Sequence, residues 1–262
     1  MHPLLKEGSD EAMRIFDNTP ELKLDWRKLR LDKLPNNLKD AEFLRILKNS
    51  TTYISSNKLK SVLYETLIKF KDTIGDKKWF TVLNDPMDKT KSYSLFNLLL
   101  ALKLFPELAN TMQGIFLMSK KFEFPASYSG FTYVSFEDVL LSPDNVLFSM
   151  NNVKHMPRVV ITPFVGESPL KILNDTGIDV IYGDKLRQFV KFDPSKLNNF
   201  LESKYESYPV LVPHRVLDQI VSFPEVYNKI LVNPVKTPFC YGSYTRYSYL
   251  VGDIFKQFVT II

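Results

Sequence analysis

Hydrophobic positions along this chain follow two rhythms. Compact apolar and β-branched runs recur at residues 78–84 (KWFTVLN), 114–118, 131–136, 158–164, 178–182 and 209–212, and each predicts a strand. Helical spacing appears between them. Leu59, Val62, Leu63, Leu67 and Phe70 make a core-facing stripe that predicts a helix opening at Ser55 or Ser56. Leu95, Leu98, Leu99 and Leu102, joined by Phe96 and Leu100, predict a buried helix capped by Ser92. Val146, Leu147, Met150 and Val153 predict another. Ser168-Pro169 opens a short helix that Gly177 stops, and Asp193-Pro194 opens one carrying Leu197, Phe200, Leu201 and Tyr205. The run 158–164 is apolar enough to be covered on both sides, as in a parallel sheet. Strands alternating with helices predict an α/β fold, with a central, mostly parallel sheet flanked by helices.

The first 50 residues read differently. Leu22, Leu24, Trp26, Leu29 and Leu31 form short apolar clusters in charged surroundings, and Pro20 and Pro35 break the segment. This predicts an irregular or short-helical extension over residues 1–50 with one helix near 41–47, packed on a main domain of residues 51–262. The end of the chain is aromatic-rich, and Phe255, Phe258 and Val259 predict a last packed helix or strand.

Composition narrows the picture. Of 262 residues 45% are hydrophobic, enough for a substantial core, yet only 9 are glycine, about half of ordinary usage. That scarcity argues against a glycine-loop enzyme of standard form. The Lys, Asn, Phe and Ile bias is the mark of an AT-rich coding sequence, a virus-like composition. Net charge is +5, which fits lysine-rich solvated faces or a phosphate-bearing partner. Cys240 is the one cysteine and reads as a packed thiol, so no internal disulfide forms and a reducing, cytoplasmic location is expected. No metal-ligand spacing is present, no stretch is long and apolar enough to span a bilayer, and the first residues lack a signal-peptide pattern.

The candidate chemistry lies at residues 131–166. Here a strand ends on Glu137 and Asp138, hydrophobics follow, and the turn Ser142-Pro143-Asp144-Asn145 leads into a helix and the next strand. Carboxylates at the carboxyl end of a strand in a βαβ unit stand where open α/β sheets hold ligands. This order resembles the phosphoribosyl diphosphate motif of type I phosphoribosyltransferases. It looks most like the divergent phosphoribosyltransferase-like proteins of large DNA viruses and some eukaryotes. The resemblance covers about residues 75–240. It implies that Glu137 and Asp138 hold ribose hydroxyls as the catalytic acids, and that Ser142 and Asn145 meet the 5′-phosphate. It also implies that Lys89, Lys91 and Ser92 serve as diphosphate contacts in the loop after residue 84, with a hood over the substrate at 120–130. His214, Arg215 and Asp218 match a second recurring segment of that family, and Mg²⁺ would be required for activity.

Pro143 and Asp144 stand where the family carries glycine. Proline removes an N–H, and aspartate repels a phosphate placed on those amides. The expectation is therefore a degenerate phosphoribosyltransferase-like protein, a non-catalytic scaffold that retains the fold and takes a protein partner. The alternatives are an active phosphoribosyltransferase or binder of a phosphorylated ribose compound, and a basic nucleic-acid-binding protein. Whether the chain is an enzyme stays open at this point.

Overall fold

The structure, a computed structural model, describes residues 1–34, 36, 39, 41–83, 93–117, 128, 130–150, 153–186, 210–213, 224–232 and 245–261. Its centre is a parallel sheet built from β2 (Trp79–Leu83), β3 (Met112–Leu117), β4 (Thr132–Phe136), β5 (Val139–Leu140), β6 (Arg158–Gly166), β7 (Asp179–Leu186) and β9 (Val259–Ile261). Across the sheet the strands run β7, β6, β4 with β5, β2, β3, β9. A short parallel pair, β1 (Thr52–Tyr53) with β8 (Val210–Leu211), stands apart. Strands 131–136 and 158–164 of the sequence reading thus share one sheet.

Chain order explains the layering. After β2 the chain passes through α4 (Tyr93–Leu104) to β3 on one side; after β4 and β5 it passes through α5 (Asp144–Met150) to β6 on the other. This reversal is a topological switch point, and it falls between β2 and β4. One face of the sheet offers Trp79, Leu83, Ile115, Val134, Phe136 and Ile161 to α1 (Pro3–Asn18), α3 (Ser56–Ile74), α4 and α8 (Thr245–Phe258). The opposite face offers Phe80, Val82, Phe116, Tyr133 and Val160 to α5 and α6 (Glu167–Asp175). Both faces are covered, which is why β2, β4 and β6 are buried along their whole length.

The N-terminal segment departs from the sequence reading. Residues 3–18 form a 16-residue helix, α1, where a short or irregular arm is expected. His2 caps it through Nδ1, which accepts from the Leu4 amide, and Pro3 suits the first turn. Its buried residues are Leu5, Gly8, Ser9, Glu11, Ala12, Met13, Ile15 and Phe16, a helical face in which small residues stand among large ones. Gly8 is where α1 presses against Ile254 of α8 and Leu99 of α4. Residues further on join a separate apolar cluster. There Phe43, Leu44 and Leu47 of α2 (Ala41–Ser50) meet Leu211 of β8 and Val226, Tyr227 and Ile230 of α7 (Pro224–Ile230). Leu22, Leu24, Trp26 and Leu29 pack against it, whereas Leu31 is exposed. Glu21 ties this cluster to the main body, accepting from the Ser56 amide at 2.8 Å and from the Tyr53 hydroxyl.

Arg158 links β6 to the end of α6. Its Nη2 donates to the carbonyls of Thr176 at 2.8 Å and Gly177 at 3.2 Å, where the chain turns at Gly177 with φ +72°. The carbonyl end of a helix favours a cation. Arg158→Met leaves those carbonyls without this donor, and equilibrium urea unfolding is expected to register a loss of about 1–2 kcal/mol. An unchanged midpoint would show that the two carbonyls are equally well served by water.

Candidate functional site

The acid pair lies where the sequence reading places it, directly after β4 and beside the carboxyl end of β2, at the switch point. The local backbone explains why a break occurs there. Phe136 is paired with Ile161 and Val139 with Phe164, so the register of β4 and β5 against β6 is one and the same. Glu137 and Asp138 interrupt the strand opposite Thr162 and Pro163. Pro163 has no N–H to donate, so the ladder has no bond to lose at that level. Both strands change phase there: Phe136 and Val139 face the same core, and so do Ile161 and Phe164.

The two acids then part company. Glu137 is half-buried; its amide donates to the Ile161 carbonyl and its carboxylate accepts from the Ser135 hydroxyl at 3.3 Å. Asp138 is only 3% exposed, and its Oδ1 accepts from the Val139 amide at 2.8 Å. A carboxylate closed over the adjacent amide is holding the strand end together. On the α4 side, Asn97 is buried, and its Nδ2 reaches the Phe136 carbonyl at 3.5 Å. Beneath α5, the Tyr133 hydroxyl is buried, with Ser149 and Glu137 nearby. Burial above all, and then the Glu137 charge, push the Tyr133 phenol upward, against the influence of Ser149.

The turn into α5 is closed by its own side chains. Ser142 Oγ accepts from the Asp144 amide at 3.2 Å and is 3.1 Å from Asp144 Oδ2, to which it donates. Pro143 supplies a carbonyl to the Leu147 amide. Ser142 therefore caps the turn, with the Asp144 carboxylate beside it. Asn145 belongs to α5, with its side chain outside the described residues.

Other expected positions fall outside the described residues as well: Lys89, Lys91 and Ser92 after β2, the 120–127 stretch of the hood, and His214, Arg215 and Asp218. Among the described residues no group of three or more His, Cys, Asp or Glu side chains could hold a metal ion. With Asp138 turned inward, the donors at the break among the described residues do not make a Mg²⁺ set. No described helix is long and apolar enough to cross a membrane.

Lys58, Lys60, Lys69 and Lys71 are the lysines of α3. They are on the exposed side, but each is tied to a neighbour. Lys58 pairs with Asp184 at 2.9 Å, Lys60 with Asp17 at 2.9 Å and Lys71 with Glu107 at 3.0 Å, while Lys69 donates to the Tyr182 carbonyl at 3.0 Å. Spacing could not have announced these contacts, because every partner is far away in the sequence.

No protein-family model matches the chain, and neither a curated protein nor a solved structure does.

Proposed function

We propose that this chain is a degenerate phosphoribosyltransferase-like protein, a non-catalytic α/β scaffold that acts by binding a protein partner. The observation that carries this reading is the state of Asp138: buried, and bonded to the amide that follows it. A ribose hydroxyl would have to displace that bond and enter a closed strand end. The turn adds to the argument, since Asp144 places a negative charge where a 5′-phosphate would bear on the first amides of α5. The pairing of the α3 cations supports a protein partner over a nucleic acid, because counterion release on nucleic acid needs lysines free to meet phosphates.

Thermal unfolding with millimolar phosphoribosyl diphosphate and Mg²⁺ tests the reading. The expected result is no shift in Tm, for the wild type and for Glu137→Gln alike. A shift of several degrees that Glu137→Gln removes would establish the alternative, an active transferase or a binder of phosphorylated ribosides. Glu137 is the better probe than Asp138, whose substitution disturbs the strand end whatever the ligand.

A further inference from the structure

The positive charge of this chain is unevenly placed. Residues 22–34 hold five cations, Lys23, Arg27, Lys28, Arg30 and Lys33, against Asp25 and Asp32, a net +3 where the whole chain has +5. Both acids are engaged by their neighbours: Asp25 holds Arg27 at 2.8 Å and Asp32 holds Arg30 at 3.7 Å. Lys23, Lys28 and Lys33 are exposed and make no ion pair among the described residues. The α3 lysines differ, each being tied to a neighbour.

The fold brings more charge to this corner from far along the chain. The Val232 amide donates to the Lys23 carbonyl at 2.9 Å, the Asp25 amide donates to the Ile230 carbonyl at 2.8 Å, and Leu24 bridges Leu231. Trp26 sets its ring edge toward Tyr227, with centroids 6.1 Å apart. The end of α7 is thereby fixed beside residues 23–26, and with it comes Lys229, exposed and again without an ion pair among the described residues. Leu22, Leu24, Trp26 and Leu29 are the inward side of the segment. Leu31 and Val232 are exposed apolar side chains among these lysines. Four cations and two apolar groups thus stand on a backbone already held by hydrogen bonds and packing, so a ligand has little ordering to impose. Like charges crowded in this way repel one another and favour an anionic occupant.

We propose that Lys23, Lys28, Lys33 and Lys229, with Leu31 and Val232, form the surface that docks an acidic segment of a protein partner, one that also carries an apolar side chain. The inference rests on the reading of the chain as a protein-binding scaffold and names the chemistry of the partner. Carboxylates meet the lysines and set the approach, while the apolar side chain covers Leu31 or Val232. A nucleic acid would meet the same lysines, but single strands also stack their bases on exposed aromatic rings. The described aromatic residues of this corner turn inward: Phe43 and Tyr227 are buried, Trp26 and Tyr53 half-buried. Exposed leucine and valine have no use for a phosphate backbone.

Fluorescence anisotropy on the full chain tests this with a labelled glutamate-rich peptide bearing one leucine, and with a labelled single-stranded oligonucleotide as the rival probe. The peptide is expected to bind saturably at low salt and to weaken as salt rises. Combining Lys28→Glu, Lys33→Glu and Lys229→Glu is expected to lower its affinity about tenfold or more. Circular dichroism checks that the variant is folded. The control, Lys6→Glu with Lys154→Glu and Lys171→Glu, reverses exposed lysines elsewhere to the same net charge and is expected to bind like the wild type. Absence of peptide binding, or an equal loss in the control, overturns the proposal. So does an oligonucleotide that binds more tightly than the peptide through the same three lysines. The two readings fail separately: a Tm shift with phosphoribosyl diphosphate overturns the non-catalytic reading, whereas only these affinities bear on the lysine surface.

Discussion

Gly183→Ala is expected to lower Tm by roughly 10 °C and to cost about 3 kcal/mol or more. The site is the contact of α3 with β7. A Cβ on residue 183 would stand 2.1 Å from Val62 Cγ1, 2.9 Å from the Pro163 carbonyl oxygen and 2.9 Å from Thr66 Oγ1. Three kinds of neighbour meet it, and none gives way cheaply. Val62 is β-branched on a helix, so its χ1 has one comfortable setting. The Pro163 oxygen is backbone in a central strand. Thr66 donates its hydroxyl to the Val62 carbonyl at 2.6 Å, in a buried position. The helix must lift from the sheet, opening the packing of Val62, Leu63 and Leu67 behind it. A double-mutant cycle isolates the cause: Val62→Ala removes the closest atom, so in the Gly183→Ala background it should recover part of the loss instead of adding its own. Strictly additive losses, or a Gly183→Ala variant within about 0.5 kcal/mol of wild type, would show that the helix and strand do not meet this closely.

The same glycine shows where sequence reading stops. The central strands, α3 and α4 were legible because large apolar residues mark every turn of their faces. α1 was not, since Gly8, Ser9 and Ala12 are three of its eight buried residues and look polar or neutral in a periodicity count. β7 runs on to Leu186, beyond the expected 178–182, through Asp184 and Lys185. An edge strand carries charges without loss, so its composition mimics a loop. The place of the acid pair was legible because it follows a strand with a strong pattern. The separate fates of Glu137 and Asp138 were not. They depend on a phase change shared with Thr162 and Pro163, and on an amide next door, neither of which a linear motif encodes.

Alkaline unfolding offers the second large effect, with tyrosine as its source. Tyr133, Tyr227 and Tyr247 are almost wholly buried, and burial is the foremost cause that raises each phenol above 10.0. Tyr227 is pushed up to about 12 despite its contact with the Thr51 hydroxyl at 2.8 Å. Half-buried Tyr53 shifts the same way, from burial first and then from Glu21. The sign follows from which form the fold prefers. Folding holds the neutral phenol, so the stabilisation is complete below pH 10 and is lost as pH rises toward the folded-state values. Tyr227 contributes about 3 kcal/mol across its window from 10 to 12. Three fully buried phenols together give a slope of about 4 kcal/mol per pH unit once the unfolded chain is ionised. A stability of about 5–15 kcal/mol cannot survive that slope for long, so cooperative unfolding is expected between about pH 11 and 13. Tyrosinate absorbance at 295 nm should show a late stage, in which the buried set appears in step with loss of far-ultraviolet circular dichroism. Tyr227→Phe removes one ionisation and should flatten the alkaline limb by about a third, while costing about 1 kcal/mol at neutral pH through the lost Thr51 bond. Simple one-stage titration of all tyrosines near pH 10, with the circular dichroism unchanged, would mean that these hydroxyls meet water in the native protein, and the packing of α5, α7 and α8 described above would be wrong.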